Sequence, residues 1–173
     1  VYCETALDDP ILFPIYRRCE ELAREHGIPL DIHTGSTSYP WTYLEKQDPA
    51  LLWHVLEKFP ELKIKVDHAG SGGTWDKALQ LARVWPNVYL DFTALDCADP
   101  PFKIMEFLQH AKWAGVLDRC LWGTDYPIFD RDNLDMYRKF PAESEKLGRE
   151  PVLTDEDIRA FLGGNAEKYL GLK

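Results

Sequence analysis

Two histidines and one aspartate occupy positions where reactive side chains usually collect in a parallel α/β protein. His33 and His68 each end a short apolar segment, and Asp125 follows another such segment; each of the three has a glycine close by. Imidazole and carboxylate groups bind divalent metal ions and transfer protons in acid/base catalysis. We therefore expect His33, His68 and Asp125 to form either a metal site or an acid/base site.

The alternation of side chains along a strand reduces the number of candidate catalytic residues. If the segment that ends at His68 is a regular strand, Val66 and Ile64 share its face. Lys65 and Asp67 then point to the opposite face, because successive side chains of a strand alternate. This interpretation makes Asp67 a poor candidate for catalysis.

Four other residues each have two interpretations, as part of the site or as purely structural residues. Asp31 shares a strand face with His33 and, if buried, needs a ligand or a lysine partner. Asp91 either joins the site or caps a turn. Tyr39 and Trp41, in the loop after His33, either line a substrate pocket or belong to the core.

The segments that must position these residues alternate between helix and strand. Helices are predicted at 11–26, 49–59, 75–85 and 100–114, and strands at 29–33, 63–68, 87–92 and 119–124. Thr74 and Asn165 are expected to cap helices, and Thr154 to form a capping box with Asp157. The Gly-rich segment 70–74 is read as a tight turn, with an anion-binding turn as the alternative. The alternation predicts an α/β fold with a parallel sheet, followed by further helices.

Composition excludes several classes of protein. The 173 residues are 45% apolar and 28% charged, which argues against disorder, and the net charge of −9 argues against nucleic acid or an anionic membrane as a partner. No apolar segment approaches the length that spans a bilayer, and the four cysteines form no C-x-x-C pair. We expect a soluble cytoplasmic protein with reduced thiols, folded as one domain over residues 1–173.

Five motifs together resemble one enzyme family. They are Ile-His-Thr-Gly at 32–35, Val-Asp-His-Ala-Gly at 66–70, Asn-Val-Tyr-Leu-Asp at 87–91, Leu-Trp-Gly-Thr-Asp-Tyr-Pro at 121–127 and Leu-Gly-Gly-Asn-Ala-Glu-Lys-Tyr-Leu-Gly at 162–171. In order and spacing they resemble the amidohydrolase-related branch of the amidohydrolase superfamily, which includes lactonases, other hydrolases and decarboxylases. The resemblance covers nearly the whole chain, from about residue 9 to residue 172.

The resemblance implies a (β/α)8 TIM barrel, in which the four predicted strands match strands five to eight and the last helices follow. It also implies a divalent metal, with zinc expected and manganese as the alternative. His33 looks like the strand-five metal ligand, and Asp125 like the strand-eight residue that binds metal and takes the proton of the attacking water. His68 looks like the strand-six acid/base group or substrate polariser.

One departure from the family pattern qualifies these expectations. The family's His-x-His pair of strand one is absent from these 173 residues. The chain therefore looks like the C-terminal half of a barrel, which would hold metal weakly or not at all and would pair with the missing half or a second copy.

Three hypotheses follow. The first is a metal-dependent hydrolase that cleaves a C–O or C–N bond of a lactone-like or amide-like substrate, or a related decarboxylase of small carboxylic acids. Its substrate is expected to be a small, flat or unsaturated carboxylic acid. The second is a metal-independent lactonase that uses His68 and Asp125 as acid and base. The third is a non-catalytic half-barrel that serves as a structural or oligomerising module.

Overall fold

The computed structural model describes residues 5–35, 43–128 and 133–172. The chain divides into two compact units, Val1–Leu90 and Asp91–Lys173. The predicted single domain over residues 1–173 stays a prediction.

Helices and strands alternate through the first two thirds of the chain, as the sequence predicts. The strands are β1 (Leu30–His33), β2 (Ile64–Asp67), β3 (Val88–Asp91) and β4 (Cys120–Leu121). The helices are α1 (Phe13–His26), α2 (Leu52–Lys58), α3 (Trp75–Val84), α4 (Leu95–Ala98), α5 (Pro101–Trp113), α6 (Leu134–Leu147), α7 (Asp155–Arg159) and α8 (Asn165–Tyr169). The four strands form one sheet in the order β1-β2-β3-β4, so the predicted α/β architecture is confirmed.

The register of the first three strands sets which side chains share a face. β1 pairs with β2 in parallel, with His33 opposite Asp67, and β2 pairs with β3 in parallel, with Val66 opposite Leu90. Ile64, Val66 and Leu90 are fully buried. Because β2 alternates between buried and half-buried residues, one face of the sheet forms the apolar core and the other is polar.

Two predicted helix caps, Thr74 and Asn165, do not form in the structure. Thr74 precedes α3 without capping it through its side chain, because its hydroxyl instead donates to the carbonyl of Gly70 at 2.9 Å. Asn165 does not cap α8 either: its amide donates to the backbone carbonyls of Leu117 and Cys120, both at 2.9 Å. The predicted caps were wrong because each side chain has a tertiary partner that competes with the local one.

The second unit has an aromatic core and a confirmed capping box. The ring of Phe92 packs against those of Phe107 and Phe161, with centroids 4.7 and 5.1 Å apart. Thr154 and Asp157 exchange the two hydrogen bonds of a capping box at the start of α7. β4 is shorter than the predicted strand 119–124, since residues 122–125 leave the strand conformation.

The structure also bears on the expected state of the cysteines and on membrane-spanning helices. Cys19, Cys97 and Cys120 are thiols rather than disulfides, while Cys3 lies outside the described residues. Among the helices of the described ranges, none combines the length and apolar character needed to cross a bilayer.

Candidate active site

His33 is the last residue of β1 and lies on the polar face of the sheet. The side chain is half-buried, and its Nδ1 atom is buried without a hydrogen-bond partner among the described residues. A buried imidazole nitrogen with an unused lone pair or proton is suited to a metal ion or a substrate. A cleft of about 380 Å³ beside β1 is lined in part by His33 and Asp67.

His68 follows β2 directly but does not continue it. Its φ is 60°, that of Ala69 is 44° and that of Gly70 is 75°, so three successive residues are left-handed. The turn is closed by the Ser71 amide, which donates to the His68 carbonyl at 2.8 Å. A left-handed non-glycine residue costs about 1–2 kcal/mol, and such strain concentrates at functional sites.

The left-handed turn brings the two histidines into contact. The ring centroids of His33 and His68 are 4.6 Å apart, and the edge of one ring faces the other at 69°. Burial lowers the pKa of His33 to about 4, and the neighbouring His68 contributes to the same direction. His33 is therefore a neutral imidazole at neutral pH, which is the form that binds metal ions.

Gly35 allows the loop after β1 to lie directly on the loop after β2. Its φ is +80°, and a Cβ atom there would lie 2.7 Å from the Ser71 carbonyl oxygen and 2.8 Å from the Ser71 amide nitrogen. Real Cβ atoms do not approach backbone so closely, so any side chain at position 35 would force the two loops apart. Gly35 thus keeps together the two segments that carry His33 and His68.

Asp67 shares the polar face with His33 and lies on the side of β2 opposite Ile64 and Val66, as the alternation predicts. Lys65 forms ion pairs with Asp31 at 3.4 Å and with Asp67 at 3.0 Å, which places all three side chains on this face. The predicted end of the strand at His68 was wrong: His68 lies in the turn, so the direction of its side chain cannot be counted from the strand's alternation. The lysine partner considered for Asp31 is confirmed. The strand register places Asp67 opposite His33, and that Asp67 is a poor candidate for catalysis stays a prediction.

Asp125 belongs to the second unit and has the same unusual backbone conformation as His68. The residue is half-buried, with φ at 64°, and its carbonyl accepts from the Ile128 amide at 2.9 Å. Thr124 precedes it, and the Thr124 hydroxyl accepts from the Tyr126 amide at 3.3 Å. Among the described residues, two of the four left-handed non-glycine positions are therefore predicted site residues, His68 and Asp125.

Asp91 fits the interpretation as a turn residue. Its carboxylate accepts from the Thr93 amide at 2.9 Å and also from the Thr93 hydroxyl. Gly123 lies against this turn, where a Cβ atom would approach Asp91 Oδ1 to 3.2 Å and would collide with Thr93 Oγ1. The carboxylate thus has a structural task, the capping of the turn that follows β3.

The segment 70–74 behaves as a tight turn. The amide of Gly70 donates to Thr34 Oγ1 at 3.2 Å, that of Ser71 to the His68 carbonyl, and that of Thr74 to the Gly70 carbonyl at 3.0 Å. Because these donors have partners within the protein, the structure favours the tight turn over the anion-binding alternative. Tyr39 and Trp41, the predicted substrate-binding residues, lie outside the described residues.

The donor set of the described residues fits part of a metal site. His33 and His68 are adjacent, and His33 is neutral with an unpartnered buried nitrogen. Within the described ranges no three His, Cys, Asp or Glu side chains are grouped to hold an ion. Since zinc sites have three or four protein ligands, a metal at these histidines requires further donors.

Solved structures of other proteins share this fold. The chain has a TM-score of 0.65 and 28% identity to an uncharacterized TIM-barrel protein from Bordetella bronchiseptica, over 96% of this chain and 52% of that one. It has a TM-score of 0.62 and 20% identity to a candidate metal-dependent hydrolase from Lactobacillus casei, over 91% and 43% of the two chains. For dihydroorotase from Campylobacter jejuni the TM-score is 0.54 and the identity 17%, over 92% and 51%.

These likenesses define the chain as an α/β structure of the TIM-barrel type, which confirms the predicted fold class. The chain spans about half the length of the solved structures that it matches. The sequence model of the amidohydrolase family matches residues 4–172. The chain therefore belongs to the amidohydrolase family, as its motifs indicate. No curated protein matches it significantly.

Proposed function

We propose that the protein is a metal-dependent hydrolase that cleaves a C–O or C–N bond in a small lactone-like or amide-like substrate. The observation that carries the proposal is the contact between His33 and His68, in which a neutral His33 has a buried nitrogen without a partner among the described residues. Membership of the amidohydrolase family supports the reaction class.

In this proposal His33 and Asp125 hold a divalent metal ion, with zinc as the expected ion and manganese as the alternative. The remaining ligands come from outside the described residues. When bound, such an ion lowers the pKa of a coordinated water towards neutrality and polarises the scissile carbonyl. The neutral state of His33 supports its part, because protonated imidazole binds no metal.

The protein's own groups move the protons. Asp125 accepts the proton of the attacking water as the new C–O bond forms at the carbonyl carbon. The bond to the leaving oxygen or nitrogen then breaks, and the leaving atom receives a proton from an acid. His68 supplies that proton or polarises the carbonyl, since its ring lies beside His33 and its left-handed backbone fixes its direction.

A metal-independent lactonase is the second candidate. In that case His68 and Asp125 act as acid and base on a cyclic ester, without a metal. The edge-to-face contact supports this candidate, because a neutral His33 can hold the ring of His68 in place without a metal ion. Decarboxylation of a small carboxylic acid requires a similar set of residues, and the same activity assay detects it.

The partners are also proposals. In this proposal the lactone-like or amide-like substrate is also a small carboxylic acid, flat or unsaturated, for which Tyr39 and Trp41 supply aromatic surface. β1 is an edge strand of the sheet formed by the described residues, which supports association with the other half of a barrel or a second copy. The free thiols support a reducing, cytoplasmic location.

The test is turnover of a panel of lactones, cyclic amides and aromatic carboxylic acids by the complete enzyme. The rates are measured as purified, after chelation, and after zinc or manganese is returned. Hydrolysis that disappears on chelation and returns with metal supports the first candidate. Hydrolysis that survives chelation supports the lactonase, release of carbon dioxide supports a decarboxylase, and inactivity on every substrate supports the non-catalytic module.

A further inference from the structure

The hydroxyl of Thr34 connects the end of β1 to both ends of the left-handed turn that carries His68. It donates to the carbonyl of Asp67 at 2.8 Å and accepts from the amide of Gly70 at 3.2 Å. Asp67 is the residue before His68, and Gly70 is the residue after Ala69. One oxygen atom therefore spans the two left-handed non-glycine residues of this turn.

We propose that Thr34 is a positioning residue that sets the direction of His68 against His33. This inference rests on the proposed function, because it assigns to Thr34 the task of orienting a proposed acid/base group. Thr34 itself is fully buried and does not belong to the reacting groups proposed above. Its side chain acts through the backbone on either side of His68.

The turn needs such support because its conformation is unfavourable on local grounds. Non-glycine residues avoid the left-handed region, so His68 and Ala69 remain there only if surrounding contacts hold them. The backbone supplies one contact, from the Ser71 amide to the His68 carbonyl. Thr34 supplies the contact that joins the residues flanking the pair.

The position of Thr34 also couples the two histidines. Thr34 follows His33 directly, and its amide donates to the same Asp67 carbonyl at 3.3 Å. Both its backbone and its hydroxyl thus attach the residue next to His33 to the residue before His68. A change at the hydroxyl is therefore expected to alter the contact between the rings, which are 4.6 Å apart.

Thr74 offers a matched control. Its hydroxyl donates to the Gly70 carbonyl at 2.9 Å, so it bonds to the same turn from the other side. The Asp67 carbonyl and the Gly70 amide are instead bonded to the Thr34 hydroxyl. Thr74→Val removes a comparable hydroxyl while leaving the bridge over His68 and Ala69 intact.

The experiment compares the chelated wild type, Thr34→Val, Thr34→Ser and Thr74→Val by NMR. Amide exchange is measured at Gly70, and a nuclear Overhauser effect is measured between the rings of His33 and His68. In Thr34→Val we expect exchange at Gly70 to accelerate about tenfold, in line with one lost hydrogen bond, and the ring signal to weaken. Thr34→Ser restores both, and Thr74→Val leaves the ring signal unchanged.

Kinetics of the metal-loaded enzyme give the second readout. A displaced acid/base group lowers kcat by about 100-fold with little change in KM, and Thr34→Ser recovers most of the loss. If Thr34→Val does not fold, Thr34→Cys replaces it, because a thiol keeps the size but hydrogen-bonds weakly.

The proposal is overturned if Thr34→Val keeps the wild-type ring signal, or if its exchange at Gly70 changes no more than in Thr74→Val. An inactive wild type with the expected exchange and ring changes would instead refute the proposed function and leave the positioning role standing.

Discussion

The close approach of Gly35 to Ser71 makes a quantitative prediction about stability. In Gly35→Ala the new methyl group would lie 2.7 Å from the Ser71 carbonyl oxygen and 2.8 Å from its amide nitrogen, while φ stays at +80°. The left-handed backbone costs an alanine about 1–2 kcal/mol. Overpacking against backbone costs about 1–3 kcal/mol more, so we expect a loss of about 2–5 kcal/mol in total.

Gly27 is the matched control for this prediction. Its φ is +70°, close to that of Gly35, but a Cβ atom there meets nothing within 4 Å. Gly27→Ala therefore has the backbone cost alone, about 1–2 kcal/mol. The difference between the two variants isolates the contact with Ser71.

Urea unfolding followed by circular dichroism at pH 7 measures both variants. We expect the midpoint of Gly35→Ala to fall well below that of Gly27→Ala, with the ring contact of His33 and His68 disturbed only in Gly35→Ala. Equal losses of stability in the two variants would refute the reasoning, because the loops would then not be in contact at position 35.

Three further predictions concern ionisation and buried hydrogen bonds. Burial lowers the pKa of His33 to about 4 in the folded protein. Between about pH 6.5 and 4 the unfolded chain therefore binds a proton on this residue that the folded chain does not bind. Stability of the chelated protein should fall over this range by about 1–2 kcal/mol after allowance for partial exposure, and His33→Gln should flatten the fall in urea titrations. Asn165→Ala should destabilise by about 2–3 kcal/mol, because one buried and one partly buried carbonyl lose their donor; a calorimetric loss under 0.5 kcal/mol would contradict this. Burial raises the pKa of Asp157, but its bonds to Lys112 and the helix start lower it more. Asp157→Asn should therefore lose about 1 kcal/mol at pH 7 and progressively less below pH 4, where the unfolded chain takes up a proton on Asp157 before the folded chain does; a loss independent of pH would count against the ion pair.

The sequence was sufficient to predict the parts of the fold that depend on local pattern. Helical spacing before Gly27 predicts α1, and the apolar run that ends at His33 predicts β1, because these periods reflect which face is buried. The same logic predicts that His33 and His68 meet, since parallel strands bring their carboxyl ends to one edge. Their ring contact agrees with that reasoning.

The direction of the His68 side chain could not be predicted from the sequence. Alternation along a strand ends at a left-handed turn, and this turn is held by tertiary contacts such as those of Thr34 with Asp67 and Gly70. Asp67 alternates with Val66 as predicted, but the residue opposite it in the neighbouring strand could not be predicted. Its position opposite His33 depends on strand register, which a single sequence does not specify without knowledge of the partner strand.

The central claim is that His33 belongs to a metal site and that His68 serves the chemistry beside it. Elemental mass spectrometry of the complete enzyme, with parallel rate measurements, tests it on wild type, His33→Ala and His68→Ala. The account predicts roughly one zinc or manganese ion per chain in wild type, lost in His33→Ala and retained in His68→Ala, whose rate nevertheless falls. Full metal occupancy in His33→Ala, or equal loss of metal in both variants, would contradict it.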